Sequence, residues 1–370
     1  MATNTSIEWA DKTWSPIIGC DRVSPGCDAC YAIGTARIRE SNPHPRIAAA
    51  FAGTTQRTDA GVDWSGTVNL LDERLAEPLS WKTPIKVFVN SLSDLFHKNV
   101  PTEFIAKVFA VMALTPQHSY QLLTKRHARM RALLNDRNFV VAVRTEMYVR
   151  DRDATLRQDE VWPLPNLWLG VSVENQQWAD LRIPALLDTP AAVRWISAEP
   201  LLGPVDLTRI AAGSKQQPDM VYDALKQRYG VPGRWQATTS ARLDWVVAGG
   251  ESGPKARPMH PDWARTLRNQ CAAANIPFLF KQWGTWGVDA PLNDQGRLIN
   301  TRRGLGITVA NDGTVYQPGD LSYPDGPRYG EAIRAGHDRA HLTGMYRLGK
   351  KAAGRELDGR THDEFPAVNA

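Results

Sequence analysis

The sequence has no charge-free apolar run near the roughly 20 residues that a membrane-spanning helix requires, which excludes a helical membrane protein. It also lacks the apolar core of a secretory signal: Met1 to Ser6 is polar, and Glu8, Asp11 and Lys12 follow directly. The expectation is a cytoplasmic protein with no membrane partner. Cysteine is scarce. Of four in 370 residues, three fall within eleven positions and the fourth, Cys271, is far away, so a disulfide framework is not expected. Cys271 lies four residues after Leu267 and eight after Trp263, on the apolar stripe of a helical pattern, and reads as a packed core thiol.

What is present is a repeating pattern. Seven short β-type runs, Trp14 to Cys20, Ile85 to Asn90, Tyr120 to Thr124, Leu167 to Val173, Val193 to Glu199, Leu243 to Gly250 and Pro277 to Trp283, each end in a polar or glycine-rich step. Helix-period segments lie between several of them, at Tyr31 to Glu40, Pro101 to Leu114, Arg126 to Asn135, Gln176 to Asp188 and Pro261 to Ala274. Strand followed by helix, repeated about six times, predicts an α/β fold: a full or partial (β/α) TIM-type barrel of about six to seven parallel strands. The barrel is expected over residues 1–284, with an insertion at 208–242 that includes Ser214 to Pro218. An irregular C-terminal extension over 285–370 is expected to pack on it. The basic end of that extension, Tyr346 to Lys351 and then Arg355 and Arg360, reads equally as a phosphate contact or a surface clasp.

In such a barrel the chemistry sits at the carboxyl ends of the strands, and that is where the polar clusters fall. They are Cys20; Ser91, Ser93 and Asp94; Lys125 and Arg126; Ser172 and Glu174; Glu199; Gly249, Gly250 and Glu251; and Lys281. Cys20, Cys27 and Cys30 have the spacing C-x6-C-x2-C, with Pro25-Gly26 available to turn the loop back on itself. Three thiolates suit a four-iron cluster with one iron left open, since a closed structural zinc site needs a fourth ligand. Zinc completed by a distant His97 or His260 remains an alternative, as do unliganded thiols. Glu199 and Glu251, acids at strand ends, read as acid–base groups or as structural hydrogen-bond acceptors. Lys281 occupies the position of a Schiff-base lysine, a role the cysteine loop does not call for.

Charge adds a partner. The net charge is +5, and Lys125, Arg126, Arg129, Arg131, Arg137, Arg144, Arg150, Arg152 and Arg157 crowd one stretch against only Asp136, Glu146, Asp151 and Asp153. This reads as a nucleic-acid face or as a solvated surface.

Several blocks together resemble a family. Ile7-Glu8-Trp9, Thr13 to Pro16 and Gly19-Cys20, then Asn90 to His97, Leu123 to Arg126, Leu169 to Asn175, Ser197 to Pro200, Gly249 to Gly253 and Gly349 to Arg355 resemble the phage-type three-Cys-motif family, catalogued as a domain of unknown function. That family in turn resembles radical S-adenosylmethionine enzymes. The resemblance implies a 4Fe-4S cluster on Cys20, Cys27 and Cys30, S-adenosylmethionine chelated to the open iron, an electron donor, and reductive cleavage to a 5′-deoxyadenosyl radical. It departs from the common C-x3-C-x2-C motif in its first gap and in having Ala29 before the last cysteine, with Tyr31 after it. The Gly-Gly-Glu step expected after the second strand stands instead at Gly249 to Glu251.

On this reading Ser91, Ser93 and Asp94 face the methionyl ammonium, Lys125 or Arg126 the carboxylate, Ser172 and Glu174 the ribose, and Gly249-Gly250 the adenine. The substrate expected is DNA, RNA or a nucleotide. The competing functions are a zinc-stabilised nucleic-acid-binding phage-type protein without catalysis, and an aldolase- or hydrolase-type barrel with incidental cysteines. Nothing in the sequence sets the oligomeric state.

Overall fold

The computed structural model describes residues 3–5, 7–153, 162–212, 219–289, 306–316 and 329–367. Arg157 and Ser214 to Pro218 lie outside them. The main sheet holds eight strands: β1 (Thr3–Asn4), β2 (Lys12–Trp14), β3 (Lys86–Val89), β4 (Ser119–Thr124), β5 (Leu167–Ser172), β6 (Val193–Ala198), β7 (Trp245–Gly249) and β8 (Phe278–Gln282). They hydrogen-bond in that order. Strand β1 is antiparallel to β2, and the other seven form the parallel sheet of a partial α/β barrel, with helices around it. The chain divides into two compact units, Met1–Ser172 with Pro184–Trp195, and Val173–Ile183 with Ile196–Ala370.

In the first unit β2 to β5 pair in parallel, with Trp14 opposite Val89, Val89 opposite Leu122, and Leu122 opposite Leu169. Strands β3 and β5 are buried along nearly their whole length, because a parallel sheet covered on both sides leaves no wet face. Trp9 packs edge-on against Phe88 at 4.5 Å and Trp195 at 5.2 Å between ring centroids. Trp195 lies so close over Gly170 that a Cβ there would meet the indole at 2.5 Å, so β5 needs glycine at this point.

The helices of this unit are α1 (Tyr31–Glu40), α2 (Pro45–Phe51), α3 (Thr102–Leu114), α4 (His127–Leu134) and α5 (Arg137–Arg150). Helix α3 buries residues on nearly every side, as its almost uninterrupted apolar sequence requires. Helix α5, inside the basic stretch, was not expected as a helix. It buries Phe139, Val143 and Met147, four residues apart, and Phe139 meets Phe109 of α3 at 5.4 Å.

The first strand differs from expectation. The sheet takes Lys12–Trp14, and the chain then leaves it, because Pro16 has no amide hydrogen for the ladder. Ile17–Ile18 pairs instead with Asn69–Leu70 in a separate two-stranded sheet. Cys20 is therefore reached by an extra step, two residues beyond this small ladder.

In the second unit β7 and β8 pair in parallel, with an irregularity between Ala248 and Gly249. Helix α6 (Gln176–Leu187) begins here, and α7 (Pro261–Ala274) buries Trp263, Ala264, Leu267 and Cys271, so Cys271 is a core thiol. The insertion carries an antiparallel four-stranded sheet of Ile210–Ala211, Val221–Asp223, Arg228–Val231 and Arg234–Ala237. The extension carries another, of Trp286–Gly287, Gly306–Ala310, Val315–Tyr316 and Leu342–Arg347. The last described residues clasp the edge strand β8: Phe280 N donates to His362 O, Glu364 N to Phe278 O, and Trp283 Nε1 to Glu356 O. Covering an edge this way removes a row of unpaired backbone groups.

Candidate functional site

The cysteine loop is pinned at both ends. Gly19, at φ +103°, forms a parallel bridge to Ser93, and a Cβ at Gly19 would stand 2.1 Å from Thr67 O, so only glycine fits before Cys20. The Pro25–Cys27 turn closes with Cys27 N donating to Ser24 O at 2.8 Å. Cys30 is the N-cap of α1 in extended conformation, and the next residue, Tyr31, donates its hydroxyl to Ser91 O at 2.7 Å. Cys20, Cys27 and Cys30 thus share one loop, all as free thiols, tied at Gly19 and Tyr31 to the segment that follows β3.

Arg126 links this loop to the next strand end. Its guanidinium lies 3.6 Å from Cys20 Sγ and 3.1 Å from Asp94 Oδ2, and it also donates to the Asp21 carboxylate. Asp94 is buried, and its oxygens accept from Phe96 N, Thr124 Oγ1, Lys125 N and Arg126, which uses the acceptor capacity of a carboxylate. Ser93 donates to Ile17 O at 2.8 Å. Of the site residues expected after the second and third strands, Asp94, Arg126 and the Lys125 amide are brought together, while the Ser93 hydroxyl turns to Ile17 O and the Ser91 carbonyl to Tyr31.

Burial pushes the Cys20 thiol up to about 12; Arg126 pulls the other way, while Asp94 and Cys27 add to the rise. Burial raises Cys30 too, opposed by the backbone amides of Ala32 and Ile33 at the start of α1 and by Lys125. For Arg126, burial works against the charge and is outweighed by Asp94, Cys20 and Asp21, so the guanidinium stays firmly protonated. Asp21 is also opposed by burial, yet Arg126, His97 when protonated, and Lys98 hold its carboxyl below the usual range. His97 Nε2 stands 3.2 Å from Asp21 Oδ1 without the alignment of a hydrogen bond, and His97 Nδ1 accepts from Asn99 N. Burial first, then Arg126, lowers the His97 pKa, which favours the neutral ring.

Buried thiols that hold their protons need a strong cation to ionise, and here Arg126 and the α1 amides already point at two of the sulfurs. Soft thiolate donors with N–H groups aimed at them match the ligand chemistry of an iron–sulfur cluster, so the residues present fit that group. Among the described residues no three His, Cys, Asp or Glu side chains converge as a single-ion site. A four-iron cluster differs in that each thiolate takes its own iron.

The sequence placed Asn90 in the polar step after the second strand and Arg129 in the basic stretch, but gave neither of them, nor Asp21, a role of its own. Asp21 had a visible signal, its place directly after Cys20. Arg129 donates to His97 O and Val100 O and so braces the loop after β3. Of the other basic residues, Arg131 pairs with Asp188, whereas Arg137, Arg144 and Arg152 are exposed, with Val141, Tyr148 and Val149 exposed among them.

Ser172, the last residue of β5 in the first unit, is buried. The second unit gathers other expected residues. Glu199 pairs with Lys281 at 3.2 Å and accepts from Ser197 Oγ, while a Cβ at Gly249 would meet Glu199 Oε1 at 2.7 Å. Gly249 therefore makes room for that ion pair. Gly250 lies against Trp283 O, and Glu251 holds Arg257 at 2.7 Å. Glu174 is fully buried and pairs with the equally buried Arg182 at 2.9 Å.

A partial α/β barrel with a three-cysteine loop set between its first parallel strand and first helix is the class that fold and site define. The chain belongs to the family described as protein of unknown function (DUF5131), whose profile matches residues 4–366. No curated protein and no solved structure matches it.

Proposed function

We propose that this chain is a radical S-adenosylmethionine enzyme that holds a 4Fe-4S cluster on Cys20, Cys27 and Cys30 and acts on a nucleic acid or nucleobase. The observation that carries the reading is the set of three free thiols on one loop of an α/β barrel, with Arg126 and the α1 amides directed at Cys20 and Cys30. When bound, cluster and cofactor supply one-electron cleavage of the sulfonium to a 5′-deoxyadenosyl radical. The chain's own residues do the rest. Arg126 offsets thiolate charge at Cys20, and Asp94, its oxygens already filled, orients Arg126 and the Lys125 backbone. Lys125 supplies a cation for the methionyl carboxylate. Ser91 and Ser93 shape the loop beside the cysteines. In the second unit, Glu199 with Lys281 is a half-buried acid–base pair suited to hold or move a proton.

The deciding experiment is anaerobic reconstitution with iron and sulfide. About four irons per chain are expected, with a brown thiolate-to-iron absorbance and 5′-deoxyadenosine released on reduction with S-adenosylmethionine. Cys20→Ala, Cys27→Ala and Cys30→Ala are each expected to reduce iron to background. Stoichiometric zinc in a colourless protein overturns the proposal in favour of a zinc-stabilised binder.

The exposed arginines of α5, with Tyr148 and Val149 among them, support the nucleic-acid part of the reading, since phosphate contacts and a stacking surface occur together there. Binding of single-stranded DNA or RNA should weaken steeply with salt. Replacing Arg137 and Arg144 with glutamine is expected to flatten the slope of log K against log salt by about 1.5, from two lost phosphate contacts. An unchanged slope removes α5 as the contact face.

A further inference from the structure

We propose that Asn90 is a binding residue that reads the edge of an adenine ring. Asn90 follows β3 directly and is only 3% exposed, yet neither its Nδ2 nor its Oδ1 has a hydrogen-bond partner. Buried amides are almost always paired, so one with both polar atoms free carries an unmet demand. The neighbouring polar groups do not meet it: Ser93 Oγ is used on Ile17 O, Thr124 Oγ1 on Asp94, and Asp94 on four donor groups.

The backbone points the same way. Asn90 sits at φ +59°, a left-handed conformation that glycine adopts freely. Asparagine is tolerated there chiefly when its side chain bonds to nearby backbone, and this one makes no such bond. Strain of this kind persists at ligand sites, and the place is right for one. Asn90 N donates to Trp14 O at the end of β2, the strand that leads toward the cysteine loop, and Asn90 O accepts from Ser93 N within the segment that Tyr31 and Gly19 tie to that loop.

The chemistry of the ligand follows from the amide. A carboxamide offers a donor and an acceptor side by side in one plane. A carboxylate or an ammonium satisfies only one of them, whereas the adenine edge, with its N6 amino group beside a ring nitrogen, satisfies both. The inference deepens the proposed function and rests on its adenosyl compound. The same edge is offered by S-adenosylmethionine and by an adenine base in a substrate.

The test uses the full chain, as isolated and after reconstitution, with calorimetric titration of adenosine, purine riboside, S-adenosylmethionine and a short oligodeoxyadenylate. Adenosine is expected to bind, with purine riboside, which lacks the N6 amino group, about tenfold weaker. Asn90→Gly keeps the left-handed backbone, so the unliganded melting temperature should hold or rise while the two nucleosides become equal. Competition by S-adenosylmethionine assigns the ring to the cofactor; competition by the oligonucleotide alone assigns it to a substrate base. If Asn90→Gly retains the discrimination, or lowers the melting temperature of the unliganded chain, Asn90 is structural and the inference falls while the proposed function stands. If the wild-type chain binds none of these compounds, both fall.

Discussion

Replacing Arg126 with methionine is expected to cost about 3 kcal/mol of stability, because it leaves the buried Asp94 carboxylate without its charged partner. The guanidinium is 13% exposed and Asp94 8%, so water cannot substitute for the lost contact as it does at a surface pair. Methionine keeps much of the volume, which limits the cavity contribution. Urea unfolding of the unliganded chain measures the effect. Asp94→Asn in the same chain should recover more than half of the loss, since the pair then vanishes as a unit. A loss below about 1 kcal/mol would mean that the backbone amides and Thr124 already satisfy Asp94 alone. The same variant removes the cation that lowers Cys20, so the thiol should become still harder to ionise. Alkylation of Cys20 near neutral pH, followed by mass spectrometry, should slow accordingly.

Glu174→Gln is expected to be at least as damaging, at about 3–5 kcal/mol, because it removes the carboxylate paired with the Arg182 charge where neither side chain has any exposure. Arg182 also stacks over the Trp178 ring at 4.1 Å, so the guanidinium cannot leave without losing that contact. The double variant Glu174→Gln with Arg182→Met should regain much of the stability. The sequence offered Glu174 as a ribose contact. If it has that role, S-adenosylmethionine affinity should fall in the double variant after stability is restored; an unchanged affinity assigns Glu174 to the fold alone.

The contrast between Glu174 and Asn90 shows why strand ends were legible while the duties of their residues were not. Apolar runs closed by polar steps marked six of the seven parallel strands nearly to the residue, since burial on both faces demands such runs. The seventh was displaced by Pro16, which ends the ladder although Trp14 before it and Ile17-Ile18 after it are apolar. Helix α5 was hidden because its buried stripe is only Phe139, Val143 and Met147, among many arginines. Arg126 and Arg137 looked alike as members of one basic stretch. One is drawn inward by Asp94 and Cys20, the other stands in solvent.

By itself the sequence determined the alternation of strand and helix, the end of the strands at which polar residues gather, and the grouping of three cysteines on one loop. These are local properties, carried by the period of apolar residues and by spacing along the chain. Only the tertiary structure decided which charge meets which. Arg126 and Cys20 are 106 residues apart, and Lys281 and Glu199 are 82 apart. Periodicity records whether a side chain is buried, whereas its partner is set by where distant segments come to rest. The same holds for Asn90, whose amide stands unpaired because the groups around it found partners first.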